Sequence, residues 1–298
     1  MSVIGRFAPS PTGPLHAGSL VTAVASYLNA KSQQGKWLLR IEDLDPPREV
    51  PGATDAIISV LDQFGFEWDD EILYQGKRTD IYMQTLAQLD KENYLYSCAC
   101  SRADIHASGI QTPYGVRYSG TCRNGLPEGK TGRSIRLKTP DHDYSIDDLI
   151  QGYYAQNLQN DVGDFILRRA DNYIAYHLAT VVDDAIQHVT EIVRGSDLLE
   201  STPRQIYLQE LLSFTPPQYT HIPVIVNASG EKLSKQTGAA PVNTEKACQS
   251  LHRSLQYLGQ DPPRSLAHAS IGEIWAWAIG NWNLNNVVKQ TSITEQKV

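Results

Sequence analysis

The stretch RFAPSPTGPLHAGSL, residues 6–20, holds the densest group of residues that could do chemistry. A strand, a turn rich in Pro and Gly, and the start of a helix would bring His16, Gly18 and backbone N–H groups to one spot. The N-terminus of a helix attracts phosphate, and Gly18 would let a ligand approach the backbone closely. The segment is neither a Walker P-loop nor a G-x-G-x-x-G fingerprint. Its spacing alone fits a tight turn with a helix-capping histidine equally well.

A second candidate is the loop EKLSKQ, residues 231–236, which follows a predicted strand. Lys232 and Lys235 flank a serine in a loop bounded by glycines. Two lysines in such a loop suit the negative charge that develops on transferred phosphates. The alternative is a solvated surface loop, since charged loops are usually exposed.

Three of the four cysteines lie close together in the chain, at Cys98, Cys100 and Cys122. Cys-x-Cys followed by a third cysteine after a Gly-rich loop indicates a zinc site, although three unliganded thiols remain the alternative. General ligand preferences point to His106 as the fourth ligand. Elsewhere, Asp183 and Asp184 have no matching ligand set, so we interpret them as polar residues near a helix end.

The pattern around these residues predicts a β-α-β unit. Residues 2–10 predict a strand, a helix begins near Gly18 and stops at Gly35, and KWLLRIED predicts a second, buried strand. In a parallel sheet, ligand chemistry lies at the carboxyl ends of the strands. Helices are also predicted over residues 51–64 and about 78–92, strands at RSIRLK, DFILRR, VTEIVRG and IPVIVN, and further helix before VTEIVRG and beyond Pro241.

Composition bounds the class of protein. The chain has 298 residues, 41% of them hydrophobic, which is enough for one or two substantial cores. Its net charge of −7 argues against broad attraction to nucleic acid but leaves room for a local basic groove. Four cysteines are too few for a disulfide scaffold, and neither a signal-peptide pattern nor a membrane-length apolar run is visible. We therefore expect a soluble cytoplasmic protein.

Taken together, the two loops resemble the HIGH and KMSKS signatures of class I aminoacyl-tRNA synthetases. The segments GRFAPSPTGPLHAGSL, LLRIEDLDPPRE, VVDDAIQHVTEIVRGSDLL and KLSKQ are similar to the glutamyl-tRNA synthetase subfamily, in the expected order over about residues 4–240. Ser19 stands where HIGH has its second histidine, and Leu233 where KMSKS has methionine. The resemblance implies an α/β fold: a Rossmann-type class I synthetase catalytic domain with a zinc-containing insertion and a small helical C-terminal region.

The resemblance also implies the reaction. ATP and L-glutamate would give glutamyl-adenylate and pyrophosphate, and the glutamyl group would then move to an RNA acceptor. Two carboxylates suit the planar fork of arginine, and an ammonium group suits an acid, although strand-end salt bridges worth ~1 kcal/mol are the alternative for Glu42 and Arg194. By resemblance, the glutamate pocket comprises Arg6, Phe7, Ala8, Pro9, Ser10, Glu42, Tyr176 and Arg194.

The remaining site residues follow from the same resemblance. ATP, with Mg²⁺, would bind His16, Gly18, Ser19 and Lys235, and His16, Lys232 and Lys235 would act in catalysis. About sixty residues follow Gln236, too few for an anticodon-binding domain of usual size. The short C-terminus and the C-x-C spacing match short paralogues in this family, which carry a tyrosine four residues before the last cysteine. They imply one structural Zn²⁺ held by Cys98, Cys100, Tyr118 and Cys122.

These short paralogues transfer glutamate to the queuosine base at the wobble position of tRNA(Asp), which is the partner we expect. The alternatives are a truncated synthetase that charges a tRNA 3′ end, and a non-catalytic paralogue that binds RNA or an amino acid. We expect a monomer divided at residues 1–96, 97–163, 164–240 and 241–298, without membrane contact. Candidate RNA-facing cations, which could equally be scattered solubilising charge, are Arg117, Arg123, Lys130, Arg133, Arg136 and Lys138.

Overall fold

The computed structural model describes residues 2–233 and 240–295. The α-helices in this part are α1 (Ala17–Lys31), α2 (Ala53–Gln63), α3 (Thr79–Lys91), α4 (Arg102–Ser108), α5 (Tyr176–Ile186), α6 (Thr202–Leu211), α7 (Ala247–Tyr257) and α8 (Ile271–Asn281). The strands are β1 (Ile4–Phe7), β2 (Lys36–Ile41), β3 (Leu73–Tyr74), β4 (Leu95–Cys98), β5 (Ile110–Thr112), β6 (Gly115–Arg117), β7 (Ser134–Leu137), β8 (Asp143–Asp148), β9 (Gly152–Asn157), β10 (Phe165–Arg168), β11 (Glu191–Gly195), β12 (Gln218–Ile222), β13 (Val224–Val226) and β14 (Ser292–Thr294).

The predicted β-α-β unit is confirmed. β1 and β2 pair in parallel, from Ile4 opposite Lys36 to Phe7 opposite Leu39, and β3 extends this sheet beyond β2. The crossover helix α1 is buried over most of its length because its apolar residues pack against the sheet. On the other side of β1, the N–H of Thr190 donates to Ile4 O at 2.9 Å, which brings β11 alongside. The carboxyl ends of β1, β2 and β11 therefore meet.

The cysteine-containing segment lies beside an antiparallel sheet. This sheet has the order β10-β7-β4. β4 and β10 lie at the two ends of the segment that the sequence predicts as an insert, and β7 lies within it. The chain between β4 and β10 also forms two hairpins, β5–β6 and β8–β9, and β8 packs against α6 and β12. The exact division into four parts stays a prediction.

The C-terminal region is helical, as predicted, but it also returns to the sheet layer. α7 and α8 pack against α1, and Trp275 Nε1 donates to the Phe64 carbonyl at the end of α2 at 2.9 Å. β14, which the helical pattern beyond Pro241 did not predict, then pairs in parallel with β13. In the described part of the chain, no helix has both the length and the apolar composition needed to cross a membrane.

Candidate active site and metal centre

A cavity of about 430 Å³ opens where β1, β2 and β11 end. It is lined by nearly every residue that the sequence analysis selected for glutamate, ATP and catalysis. Lys235 falls outside the described residues. The selected residues that line the cavity are Arg6, Phe7, Ala8, Pro9, Ser10, His16, Gly18, Ser19, Glu42, Tyr176, Arg194 and Lys232.

A buried ionic network fixes one wall of this cavity. Asp184 Oδ1 accepts hydrogen bonds from Arg6 Nε at 3.1 Å and from Arg40 Nη1 at 2.7 Å. Arg40, fully buried, also reaches Glu42 Oε1 at 3.4 Å and Gln187 Oε1 at 3.0 Å. Burial alone would raise the pKa of Asp184, but Arg40 and Arg6 outweigh it and lower that pKa. The network therefore holds the Arg6 guanidinium at the cavity with its counter-charge behind it.

Glu42 has a different electrostatic environment from Asp184. Burial raises the pKa of Glu42 above its ordinary value, although Arg40, Arg6 and a hydrogen bond from Thr180 Oγ1 at 3.2 Å oppose this change. A cation in the cavity would favour the ionised form of this carboxyl. Glu42 is thus suited to an ammonium group.

Arg194 is held from several sides. Its Nη2 donates to Thr202 Oγ1 at 2.8 Å and its Nε donates to His221 Nε2 at 2.9 Å. Its Nη1 lies 3.4 Å from Tyr176 Oη, and both of these residues line the cavity. A second guanidinium thus stands at the cavity, and a dicarboxylate could bridge Arg6 and Arg194.

The phosphate-binding features lie at the start of α1. His16 is the N-cap of this helix, since its Nδ1 accepts from Ser19 N at 3.3 Å. Ser19 Oγ lies 3.0 Å from His16 Nε2, so the serine found in place of a HIGH histidine is engaged with the first histidine. A Cβ on Gly18 would come within 3.2 Å of the His16 ring, which explains glycine there. Both predicted functions of His16, cap and cavity residue, coexist.

Lys232 pairs with Asp197, and both line the cavity. The loop approaches the helix start, because a Cβ on Gly18 would also lie 3.5 Å from the Leu233 carbonyl. The two signature segments, about two hundred residues apart in sequence, are therefore neighbours in space.

A second cavity, of about 410 Å³, shares Ser10, Glu42, Arg48 and Tyr176 with the first. Several hydrogen-bond acceptors that line it are buried and lack a partner among the described residues. They are Asp45 Oδ1, Glu49 Oε1 and Gln75 Oε1. A ligand rich in N–H or O–H donors would satisfy these atoms.

Cys98, Cys100 and Cys122 come together, with their sulfur atoms all within 4.8 Å of one another. Tyr118 Oη lies 3.4 Å from Cys98 Sγ and 3.6 Å from Cys100 Sγ, and it accepts from Cys122 N at 2.8 Å. His106 is exposed on α4 and is not part of this cluster. Three thiols and a phenol around one point form a donor set that suits Zn²⁺.

Arg136 lies directly behind this cluster. Its guanidinium carbon is 3.9 Å from the centre of the Tyr118 ring, and its Nη1 donates to Asp164 O at 2.7 Å. Burial alone would raise the pKa of Cys98, but hydrogen bonds from Tyr118 and Arg136 lower it to about 7. Arg136 is buried, so its interpretation as an RNA-facing cation is wrong. Arg123, another candidate RNA-facing cation, forms an ion pair with the carboxylate of Asp164.

The sequence did not reveal the buried residues that hydrogen-bond to the side chains of the cavity wall. Asp183 and Asp184 lie near the end of α5, as interpreted from the sequence, but both are buried and hold ion pairs there. Asp183 accepts from Gln75 Nε2 at 2.8 Å, Arg78 Nε at 2.8 Å and Tyr82 Oη at 2.6 Å. The only sequence signal for these supporting residues was the pair of adjacent acids. The partners of Asp183 lie about a hundred positions away, so the sequence alone did not connect them.

The fold and the paired signature segments define a class I aminoacyl-tRNA synthetase catalytic domain. Residues 2–253 match the family described as tRNA synthetases class I (E and Q), catalytic domain, and the chain belongs to this family. It is accordingly a ligase-type enzyme that uses ATP.

Two relatives match over almost their whole length. A glutamyl-Q tRNA(Asp) synthetase of Dechloromonas aromatica is 51% identical over 97% of this chain and 97% of its own length. One of Chromobacterium violaceum is 52% identical, covering 95% of this chain and 94% of the relative. Among solved structures, a glutamate tRNA ligase of Elizabethkingia meningosepticum in complex with its amino acid has a TM-score of 0.80 at 28% identity, covering 98% of this chain and 67% of that protein. These matches support the predicted fold and family.

Proposed function

We propose that this enzyme activates L-glutamate with ATP and transfers the glutamyl group to queuosine at the wobble position of tRNA(Asp). The observation that carries this proposal is the near-full-length identity, 51% over 97% of both chains, to a protein named for that activity. The cavity geometry is consistent with it, since the guanidiniums of Arg6 and Arg194 and the carboxylate of Glu42 face the same space.

In the proposed glutamate pocket, Arg6 and Arg194 bind the two substrate carboxylates and Glu42 binds the ammonium group. Tyr176 Oη, close to Arg194 Nη1, helps to orient that guanidinium. Phe7 to Ser10 supply the backbone wall where β1 ends. A substrate with one carboxylate would leave one arginine unpaired, and that cost gives selectivity for a dicarboxylic amino acid.

In the first step, an oxygen of the glutamate α-carboxylate attacks the α-phosphorus of ATP. A phosphorus–oxygen bond forms, and the bond to the bridging oxygen of the β-phosphate breaks and releases pyrophosphate. His16, Gly18 and Ser19 at the start of α1 bind the phosphates, and Lys232 and Lys235 stabilise the charge that grows on the leaving group. Mg²⁺ is expected to accompany ATP.

In the second step, a hydroxyl of the acceptor attacks the carbonyl carbon of glutamyl-adenylate. An ester forms, AMP leaves, and the hydroxyl proton is lost to solvent or to a nearby base. Queuosine carries a secondary amine and a cyclopentene ring with two hydroxyls, so it is rich in donors. The second cavity contains Glu42, Tyr176 and acceptors that lack a partner among the described residues, so it suits such a group.

We further propose that Cys98, Cys100, Tyr118 and Cys122 hold one Zn²⁺. Such an ion would supply structural cross-linking of the segment between β4 and β7, because all four ligands would come from the protein. The enzyme is further proposed to be a cytoplasmic monomer, which size-exclusion chromatography with light scattering can test for the oligomeric state.

The function is tested with labelled glutamate, ATP and tRNA(Asp), prepared with or without queuosine and with or without its 3′-terminal adenosine. We expect labelling that requires queuosine and persists when the 3′ adenosine is removed. Labelling of tRNA(Glu) at its 3′ end would support the truncated-synthetase alternative instead. Absence of both labelling and glutamate-dependent pyrophosphate exchange would favour the non-catalytic alternative.

A further inference from the structure

Behind Arg194 lies a buried chain of three groups that come from three different strands. Asp148 is the last residue of β8, His221 belongs to β12, and Arg194 belongs to β11. His221 Nδ1 is 2.6 Å from Asp148 Oδ2, and Arg194 Nε donates to His221 Nε2 at 2.9 Å. Side chains of Asp148 and His221 are fully buried.

The partners fix the protonation of His221. Arg194 Nε can only donate, so His221 Nε2 must accept, and the single ring proton must therefore lie on Nδ1. From there it points to Asp148, whose carboxylate can only accept. The hydrogen-bonded series thus runs from carboxylate to neutral imidazole to guanidinium. Asp148 accepts from His221 Nδ1, and His221 Nε2 accepts from Arg194 Nε.

Asp148 is itself held rigidly. Its Oδ1 accepts from the backbone N–H groups of Ile150 at 3.0 Å and Gln151 at 2.8 Å, and its Oδ2 accepts from His221 N at 3.0 Å. These bonds anchor the turn of the β8–β9 hairpin to the strand that carries His221. The imidazole is therefore fixed at Nδ1 by a carboxylate that is itself held by backbone N–H groups.

We propose that Asp148 and His221 are positioning residues that set the affinity for L-glutamate by fixing the guanidinium of Arg194 in its binding orientation. The inference rests on the proposed function, in which Arg194 binds a substrate carboxylate. Neither residue lines the cavity, so both act only through Arg194.

The electrostatics agree with a neutral imidazole. Burial lowers the pKa of His221 and the charge of Arg194 lowers it further, while Asp148 and the more distant Asp197 oppose the change. Tyr219 stacks on the imidazole, with its ring centre 6.1 Å away and an angle of 7° between the two ring planes. Thr202 Oγ1, at 3.3 Å from Nε2, is neutral. A charged imidazole would bring a second donor against Arg194 Nε.

Calorimetric titration of the full chain with L-glutamate, and separately with ATP, tests the inference. In His221→Asn the amide stands near the Nδ1 position and leaves Arg194 Nε without an acceptor. In His221→Gln the amide oxygen can stand near the Nε2 position and accept from Arg194. We expect the Kd for glutamate to rise about tenfold to a hundredfold in His221→Asn and Asp148→Asn, and clearly less in His221→Gln.

The matched control is Asp147→Asn, an exposed neighbour on the same strand, which should bind glutamate normally. An unchanged Kd for ATP in every variant would show that the cavity remains folded. Wild-type glutamate affinity in folded His221→Asn and Asp148→Asn would overturn the inference, as would an equal loss of glutamate and ATP binding. Absence of glutamate binding by the wild-type chain would instead overturn the proposed function, and the inference with it.

Discussion

Arg6 meets the cavity with its Nε bonded to Asp184 Oδ1 at 3.1 Å, although the two residues are 178 positions apart in the chain. The same oxygen accepts from Arg40, so one carboxylate is shared by two buried guanidiniums. The position of Arg6 therefore depends on a residue in α5 that does not line the cavity.

We expect Asp184→Asn to lower the free energy of unfolding by about 3 kcal/mol or more, because removing one partner leaves buried charge uncompensated. Urea unfolding at neutral pH measures the loss, with exposed Asp55→Asn as the control. Because the folded-state pKa of Asp184 is lowered, its contribution is present at neutral pH and is lost as the pH falls through that pKa. Equal unfolding curves for Asp184→Asn and the wild type would contradict this expectation.

Glu42 should make glutamate binding dependent on pH. Burial raises its pKa, so the carboxylate needed for the ammonium group is lost at a higher pH than for an exposed glutamate. We expect the Kd for L-glutamate to rise as the pH falls from neutral towards that raised pKa. In Glu42→Gln, affinity at neutral pH should drop about tenfold or more, and the remaining pH dependence should reflect the ligand alone. Parallel pH profiles for both proteins would count against this role.

Lys235 should act on the activation step. We expect Lys235→Ala to slow glutamate-dependent pyrophosphate exchange by about 10² to 10³, the usual effect of removing one group that stabilises transition-state charge. Lys246→Ala is the control, because Lys246 is exposed and lines neither cavity. A normal exchange rate in Lys235→Ala would show that the assignment is wrong.

The fourth zinc ligand can be decided by metal content. Tyr118 Oη lies beside the three thiols, whereas His106 is outside their cluster. We expect Tyr118→Phe to purify with less zinc than the wild type and His106→Ala to keep it, as measured by elemental analysis. Loss of zinc only in the histidine variant would reverse the assignment.

Most of the cavity wall could be predicted because its residues belong to short, continuous segments. The stretch from Arg6 to Ser19 is a strand, a turn and a helix start, and its spacing alone brings His16 and Gly18 together. The resemblance then connected this stretch to the loop around Lys232. Cys98, Cys100 and Cys122 were equally visible, since few other cysteines compete with them.

The supporting groups could not be predicted because each depends on tertiary pairing. Asp148 and His221 are 73 positions apart, and neither lies in a recognisable motif. β8 alternates exposed and buried residues, as a half-buried strand should, but its last inward residue is an aspartate and weakens the apolar signal. β14 has only three residues and no distinctive pattern.

The pairing of β13 with β14 has a consequence for biosynthesis. Val224 N donates to Thr291 O and Glu295 N donates to Val226 O, so the strand that leads into the Lys232 loop has its neighbour nearly seventy residues later. During translation, β13 lacks its β14 partner, and keeps that edge open, until residues 292–294 have left the ribosome. We therefore expect a nascent chain to complete its ATP-binding wall late, well after the first β-α-β unit has formed.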